Sequence, residues 1–325
     1  MEQKTLEVRN LTVCFRTEKG IIRPVNGVSL DVPAGSIVGI VGESGCGKSM
    51  TARAVMGLLR YPGKVTEGSV LLNGRDITNL TEKERRKLRG AEVSMIFQEP
   101  MTSLNPVVRV GKQVEEAIRL HTDCTKEEAK ARTLEMFREV EIPEAETRYK
   151  CYPHQLSGGL RQRVLIAMAM ICKPSLLIAD EPTTALDVTV EAQILKLLEQ
   201  LRDGGTSVLI ISHDLGVIAK VCDYVYVMYA GRIVEEAETE VIFRRPAHPY
   251  TLGLFRSVAS LREGGSTLET IPGVVPNLHR LPAGCSFSLR CGECDARCEQ
   301  ELPELKETEP GHKARCFRTV KEAAE

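Results

Sequence analysis

Apolar and polar positions alternate through the first forty residues, as in half-buried strands. The alternating apolar positions are Leu6, Val8, Leu11, Val13, Phe15, Val28, Leu30 and Val32. Further along, short apolar runs recur between stretches of helical spacing. These runs are 37–41, 93–97, 176–179, 207–211 and 224–229. An antiparallel lead-in followed by alternating strands and helices predicts an α/β fold with a parallel core sheet.

One long stretch interrupts this alternation. Residues 100–172 lack strand signals and are rich in Glu, Lys, Arg and Ala. Thr125 with Glu128 fits a capping box at the start of a helix, so the stretch predicts a helical insert. The apolar spacing of 190–201 predicts another helix, with its stripe facing the core. From Phe243 on, Pro, Gly and Arg become frequent, and Arg262 to Ser266 has the composition of a linker.

Length and charge narrow the class of protein. A chain of 325 residues exceeds the usual size of one core, so we expect one large domain and a smaller appendage. Its 43 basic and 44 acidic residues give no support to a nucleic-acid-coating protein. The apolar stretches are too short to cross a bilayer, and the N-terminus lacks the layout of a signal peptide. We expect a cytosolic location.

A phosphate-binding loop follows the strand at 37–41. The segment Gly42-Glu43-Ser44-Gly45-Cys46-Gly47-Lys48-Ser49 fits G-x-x-x-x-G-K-[ST]. Its glycines let successive N–H groups point at phosphate oxygens, Lys48 adds a cation, and Ser49 supplies a hydroxyl for Mg²⁺. A helix expected from Lys48 to Leu59 aims its positive end at the nucleotide.

Polar side chains follow three of the other apolar runs. Asp180 and Glu181 end one strand, where Asp180 is suited to hold Mg²⁺ through water and Glu181 to polarise an attacking water. His213 and Gln98 follow two further strands. Because parallel strands present their carboxyl ends at one edge, we expect these groups beside the phosphate loop.

A second glycine segment, Leu156-Ser157-Gly158-Gly159-Leu160-Arg161-Gln162-Arg163, opens a helix expected from Leu160 to Ile171. Free N–H groups and the positive helix end make it a second anion site. We call the segment Leu156 to Arg163 the signature. Residues 6–240 resemble the ATP-binding subunits of ABC transporters, because the motifs stand in that family's order: the phosphate loop, Gln98, the signature, the Asp180-Glu181 strand, Ala185-Leu186-Asp187 and His213. Leu160 stands where the commonest signature has Gln.

The resemblance implies a fold and a set of roles. The fold is a phosphate-loop NTPase core with an antiparallel β subdomain and a helical insert, over 1–242. Lys48 clamps the phosphates, Glu181 is the general base, His213 senses the γ-phosphate, and Ser49, Gln98 and Asp180 serve Mg²⁺. The residues expected to contact ATP are Phe15 as the adenine-stacking residue, Gly42, Ser44, Gly45, Cys46, Gly47, Lys48, Ser49, Met50, Gln98, Asp180 and Asp187, with Ser157, Gly158 and Gly159 acting on the ATP of an opposing subunit.

Two segments narrow the resemblance to oligopeptide and dipeptide importers. They are Glu99 to Pro106, after Gln98, and Arg244 to Thr251, which contains His-Pro-Tyr-Thr. The implied partners are a second ATP-binding subunit, either the same chain or a homologue, two transmembrane permease subunits and an extracytoplasmic binding protein, with no nucleic acid. The implied place is the cytoplasmic face of the inner membrane, as a peripheral subunit that powers peptide import.

Cysteines crowd near the C-terminus. Of eleven in the chain, five fall between Cys285 and Cys316. In a reducing compartment such a cluster favours metal over disulfides. Four thiolates suit either a [4Fe–4S] cluster or Zn²⁺, and the candidate ligands are Cys285, Cys291, Cys298 and Cys316. The resemblance favours the iron–sulfur cluster over zinc. Cys294 is an alternative ligand, and free thiols stay open. We expect a small cysteine-rich domain within 243–325.

Two rival functions remain at this point. A soluble ABC ATPase acting on ribosomes or DNA would usually carry two cores or a long coiled coil, and this chain has one core and no sustained heptads. A metal or redox sensor would use ATP only as a ligand. The presence of Glu181 and His213 argues against that second alternative.

Overall fold

The computed structural model describes residues 3–98, 103–184, 186–262 and 271–319, except for the side chains of 258–262. The chain divides into two compact units. The first takes in Met1–Leu6, Val32–Ile37 and Asn73–Ile211, and the second takes in Glu7–Asp31, Val38–Leu72 and Ser212–Glu325. The chain passes between them several times, so each unit is assembled from distant parts of the sequence.

The first unit contains three parallel strands. They are β6 (Val93–Ile96), β7 (Leu176–Asp180) and β8 (Ser207–Ser212), which pair in the order β6, β7, β8. Every residue of β7 and β8 is buried. Continuous apolar strands of this kind are typical of a parallel sheet covered on both faces. Asp180 ends β7, Glu181 follows it, and Gln98 lies two residues after the end of β6.

The helices of this unit include the predicted insert. They are α2 (Glu82–Leu88), α3 (Val110–His121), α4 (Lys126–Glu139), α5 (Ala145–Arg148), α6 (Gly158–Met170) and α7 (Val188–Asp203). A short strand, β5 (Arg75–Asp76), precedes them. Helices α3, α4 and α6 pack on one another. The capping box at Thr125 forms as predicted, since its hydroxyl accepts the Glu128 N–H and Glu128 accepts the Thr125 N–H.

The second unit has an antiparallel part and a mixed part. Strands β2 (Gly20–Pro33), β1 (Lys4–Thr17) and β4 (Gly63–Leu72) neighbour one another in that order. Strand β3 (Ile37–Val41) pairs in parallel with β9 (Tyr224–Tyr229), which pairs antiparallel with β10 (Arg232–Glu238). Helices α1 (Lys48–Val55), α8 (Leu215–Val221), α9 (Thr239–Arg244) and α10 (Pro249–Arg262) belong to this unit.

The C-terminal region does not stand apart as an independent domain. Strand β12 (His312–Ala314) pairs with β10, and β11 (Lys306–Glu309) pairs with β12. A short helix, α11 (Ala296–Gln300), and a 3₁₀ turn at Ser288–Arg290 complete it. The expected separate cysteine-rich domain is therefore not confirmed, because the region adds strands to the sheet that carries the phosphate loop.

Several predicted boundaries need correction. The helix expected to run from Lys48 to Leu59 ends at Val55, and Gly57, with a φ of 62°, lies just beyond it. The helix expected from Leu160 begins at Gly158, because Ser157 is its N-cap. The expected linker lies outside the described residues except for Arg262, which ends α10. None of the helices in the described part of the chain has the length and apolar character needed to span a bilayer.

Candidate functional site

The phosphate loop leaves the buried strand β3 and leads into α1. Two of its glycines are required by their surroundings. A Cβ on Gly47 would lie 2.1 Å from the Pro24 carbonyl oxygen, and a Cβ on Gly42 would lie 2.2 Å from that of Met228. Gly47 also has a φ of 112°, which side chains disfavour. The backbone is therefore held in the curled form in which N–H groups face an anion.

Lys48 lies inside this curl. Its side chain is 5% exposed, and its Nζ donates to the carbonyl oxygens of Gly42 at 2.6 Å and Glu43 at 3.1 Å. These carbonyls neutralise the ammonium only partly, since they carry no net charge. Burial raises the pKa of the neighbouring Cys46 thiol, which keeps that side chain neutral. The net charge offered by Lys48 thus suits phosphate oxygens.

The C-terminal region braces the loop from outside. The Glu43 N–H donates to the Tyr250 hydroxyl at 2.8 Å, and the Glu43 carboxylate pairs with both terminal nitrogens of Arg290 at 2.7 and 3.0 Å. Tyr250 is fully buried. The sequence singled out Tyr250 only as part of a His-Pro-Tyr-Thr segment, and it gave no signal for Arg290. Contacts across more than 200 residues leave no local pattern.

The His-Pro-Tyr segment owes its position to one buried carboxylate. Glu235 accepts the N–H groups of Ala247 at 2.6 Å and His248 at 2.8 Å, and the His312 ring lies 2.7 Å from it. The His248 Nδ1 in turn accepts the Tyr250 N–H at 3.0 Å. Burial lowers the pKa of His248 to about 4, so the ring is neutral and free to accept this bond.

In the first unit, a carboxylate pair ends β7. Asp180 is 2% exposed and closes the strand. Glu181 follows with a φ of 50°, a left-handed conformation that is uncommon outside glycine, and its N–H donates to the Ile211 carbonyl at 2.8 Å. Such local strain is typical of functional positions. It turns the Glu181 side chain out of the strand register.

Gln98 and Glu181 meet. The Gln98 Nε2 donates to the Glu181 Oε2 at 2.8 Å, and the Thr184 hydroxyl donates to the same oxygen at 3.0 Å. Gln98 is exposed, so this bond lies at the open edge of the strands. A neutral amide on a carboxylate can orient it without cancelling its charge. An oriented carboxylate of this kind has the chemistry of a general base.

The signature segment presents an open helix terminus. Ser157 caps α6 by accepting the Leu160 N–H at 3.4 Å, and Ser157 and Gly158 are exposed. A Cβ on Gly158 would meet only Leu186 Cδ2, at 3.9 Å. Asp187 is exposed and caps α7 by accepting the Val190 N–H at 3.0 Å. The N-terminal end of the thirteen-residue helix α6 therefore faces outward, where it can meet an anion.

Phe15, His213 and the other predicted residues of the phosphate loop lie in the second unit. Phe15 is half-buried, and a Cβ on Gly63 would lie 2.4 Å from its ring. His213 is exposed directly after β8. The other predicted loop residues are Ser44 and Gly45, which are exposed, and Ser49 and Met50, which are half-buried at the start of α1.

The four predicted cysteine ligands line one cavity of about 20 Å³, together with His248 and Phe287. Within the described residues, however, no three His, Cys, Asp or Glu side chains are arranged to hold a metal ion. Burial raises the pKa of the Cys285 and Cys291 thiols, and that of Cys298 to about 11. The described residues therefore do not support the expected iron–sulfur or zinc site.

Comparison with known proteins agrees with this geometry. Residues 25–184 match the family model described as ABC transporter, and residues 234–298 match the one described as oligopeptide/dipeptide transporter, C-terminal region. The chain is similar to the "Dimeric Structure of MJ0796, a Bacterial ABC Transporter Cassette", with 30% identity and a TM-score of 0.65. That likeness covers 72% of this chain and 98% of the other. The fold and the loop define an ATP-binding cassette.

The relatives extend the match over nearly the whole chain. The oligopeptide transport ATP-binding protein OppD of Escherichia coli is 51% identical over 98% of this chain and 94% of its own. The dipeptide transport ATP-binding protein DppD of Bacillus subtilis is 48% identical over 97% of this chain and 95% of its own. This chain therefore belongs to the family of ABC transporter ATP-binding proteins, and ATP is its ligand.

Proposed function

We propose that this chain hydrolyses ATP to power the import of dipeptides or oligopeptides. The observation that carries the proposal is the match of residues 234–298 to the C-terminal region of oligopeptide and dipeptide transporters. Relatives named for peptide transport cover 97–98% of this chain. We also propose that the ATPase domain comprises residues 1–242 and the C-terminal extension residues 243–325.

The described residues support a division of labour in hydrolysis. Lys48 holds the β- and γ-phosphates, and Glu181, oriented by Gln98, takes the proton of the attacking water. Ser49, Gln98 and Asp180 suit Mg²⁺, which neutralises phosphate charge when bound. His213 meets the γ-phosphate, and Phe15 stacks on adenine. The other proposed ATP contacts are Gly42, Ser44, Gly45, Cys46, Gly47, Met50 and Asp187.

The exposed signature argues for an assembly of two cassettes. Ser157, Gly158 and Gly159 of one copy complete the site on an opposing subunit, either a second copy or a homologue. Donors fixed in a desolvated interface are most effective on transition-state charge. We further propose two membrane permease subunits and an extracytoplasmic binding protein as partners, with the chain peripheral on the cytoplasmic face.

The first test separates binding from hydrolysis. Glu181→Gln keeps the Gln98 contact as an amide pair but removes the base, so we expect ATP binding to persist while kcat falls about 100-fold or more. ATP binding and phosphate release would be measured with the full transport complex. Wild-type turnover in this variant would remove Glu181 from the mechanism.

A second test addresses the substrate. In proteoliposomes containing the permease subunits and the binding protein, peptide uptake should require ATP and should stop in the Glu181→Gln variant. ATP binding with neither hydrolysis nor uptake would favour the sensor alternative, in which ATP is only a ligand. In that case Cys291→Ser should change the metal or redox response and leave ATP binding intact.

We also propose that the cysteine cavity takes a metal, with a [4Fe–4S] cluster favoured over Zn²⁺. Support comes from the four thiols that line one cavity. A volume of about 20 Å³ has room for one small ion, so a cluster requires the thiols to move outward and to lose their protons. Metal analysis of anaerobically purified chain would decide. Iron in the wild type that is lost in Cys291→Ser supports the iron–sulfur cluster, and zinc alone supports the zinc site. The absence of both metals contradicts both forms of the proposal.

A further inference from the structure

The phosphate loop carries an acidic residue where it must bind a polyanion. Glu43 is the second residue of the loop, and its carbonyl oxygen is one of the two that hold Lys48. A carboxylate this close to the loop opposes a triphosphate by like-charge repulsion. The chain therefore has to place and neutralise this charge.

Arg290 meets that need with a bidentate contact. Its two terminal nitrogens lie 2.7 and 3.0 Å from the two Glu43 carboxylate oxygens. The paired geometry fixes both the direction and the charge of the carboxylate. Arg290 is 4% exposed and Glu43 is 28% exposed, so water screens the pair only in part.

Groups other than Glu43 also hold the guanidinium in place. The Arg290 Nε donates to the Pro272 carbonyl at 2.9 Å, and a terminal nitrogen lies 3.3 Å from the Tyr229 hydroxyl. The guanidinium also lies over the Tyr229 and Phe287 rings, at 5.8 and 5.9 Å from their centroids. It is therefore positioned before the loop binds anything.

We infer that Arg290 is a positioning residue for ATP binding. It draws the Glu43 carboxylate away from the phosphates and cancels its charge, and Tyr250 fixes the Glu43 N–H at the same time. The inference rests on ATP binding at this loop. It also gives the C-terminal region a direct route to the nucleotide, since Arg290 immediately precedes Cys291.

The test is a double-mutant cycle on the full chain with Mg-ATP as the probe. Arg290→Gln leaves an unpaired carboxylate beside the loop, so we expect the Kd for ATP to rise about tenfold. Adding Glu43→Gln removes that carboxylate and should return the Kd to within about twofold of wild type. In the transport complex, KM for ATP should follow the Kd while kcat stays nearly constant.

A matched control is Lys313→Met, which breaks another ion pair of the C-terminal region, between Lys313 of β12 and Glu236 of β10 at 2.8 Å, with neither residue in contact with Glu43. It should leave the Kd unchanged. If Arg290→Gln does not fold, Arg290→Lys keeps the charge without the bidentate contact and should give an intermediate Kd. Wild-type affinity in Arg290→Gln, or weaker binding in the double variant than in the single, overturns the inference.

Failure of the proposed function would look different. If the wild-type chain does not bind ATP, or if Lys48→Met binds it equally well, the loop is not the ATP site. If the wild type binds ATP through Lys48 and Arg290→Gln matches it, only the role of Arg290 is wrong.

Discussion

The two glycine-bearing anion segments of this chain use glycine for different reasons. In the phosphate loop, a Cβ on Gly47 would meet the Pro24 carbonyl oxygen at 2.1 Å. In the signature, a Cβ on Gly158 would meet only Leu186 Cδ2 at 3.9 Å, an ordinary contact, while Gly159 lies closer to the Val190 side chain. The loop needs its glycine in order to fold. The chain's own packing does not explain Gly158.

The same contrast holds for exposure. Lys48 is buried among carbonyls of its own loop, and the loop is braced by Tyr250 and Arg290. Ser157 and Gly158 are exposed at the open end of a helix. One segment is completed by its own chain. The other is suited to a molecule that approaches from outside, which is why we assign it to the ATP of an opposing subunit.

The largest expected effect breaks the loop. Lys48→Met removes the only positively charged side chain of residues 42–49, so we expect kcat/KM for ATP to fall about 1000-fold and binding to the isolated chain to weaken. Ser157→Arg, its counterpart in the signature, should leave binding to the isolated chain intact and abolish turnover in the complex. Equal loss of ATP binding to the isolated chain in both variants would contradict the proposed difference between the phosphate loop and the signature.

A second prediction uses pH, because the loop brace depends on neutral His248. The folded pKa of about 4 lies below the ordinary value of 6.5. Between these values the unfolded chain takes up a proton that the folded chain refuses. The free energy of unfolding should therefore fall by about 3 kcal/mol as the pH falls from 6.5 to 4. Denaturant titrations across this window would measure it.

The control for this prediction is His248→Asn, whose amide oxygen can accept the Tyr250 N–H but does not titrate. This variant should lose most of the decrease in the free energy of unfolding that His248 causes between pH 6.5 and 4. An unchanged slope would mean that other groups carry the pH dependence.

The smallest expected effect compares the glycines directly. Gly47→Ala should lower the free energy of unfolding by about 2 kcal/mol, because both its φ and the Pro24 carbonyl oppose a side chain. Gly158→Ala begins a helix and should leave stability unchanged or raise it by up to about 1 kcal/mol. Thermal and denaturant unfolding would measure both variants. If both have a lower free energy of unfolding than the wild type, the two glycines share a structural role.

Sequence patterns predicted much of the fold and of the site, for reasons that are local. Strands β7 and β8 contain the apolar runs 176–179 and 208–211, and the loop is a contiguous motif, so both can be predicted from neighbouring residues. The capping box at Thr125 is a four-residue signal. The predicted end of α1 was wrong by four residues. The apolar pattern continues to Leu59, and it is a stronger signal than the helix-ending effect of Gly57.

Contacts between distant residues could not be predicted this way. Arg290 meets Glu43 across 247 residues, and neither residue stands out in its own segment. The pairing of β12 with β10 likewise depends on registers that a single sequence does not display. The expected cysteine-rich domain is not confirmed for the same reason, since β12 of that region joins the sheet that carries the phosphate loop.

The sequence by itself determined the class of this protein, because phosphate binding, helix capping and strand burial depend on residues that adjoin in the chain. The tertiary structure alone decided that the C-terminal region reaches the ATP loop. Glu235, His248 and Tyr250 form one hydrogen-bonded series to the Glu43 N–H, and Arg290 neutralises the carboxylate. Such bonds form only where folding removes water and brings remote charges together.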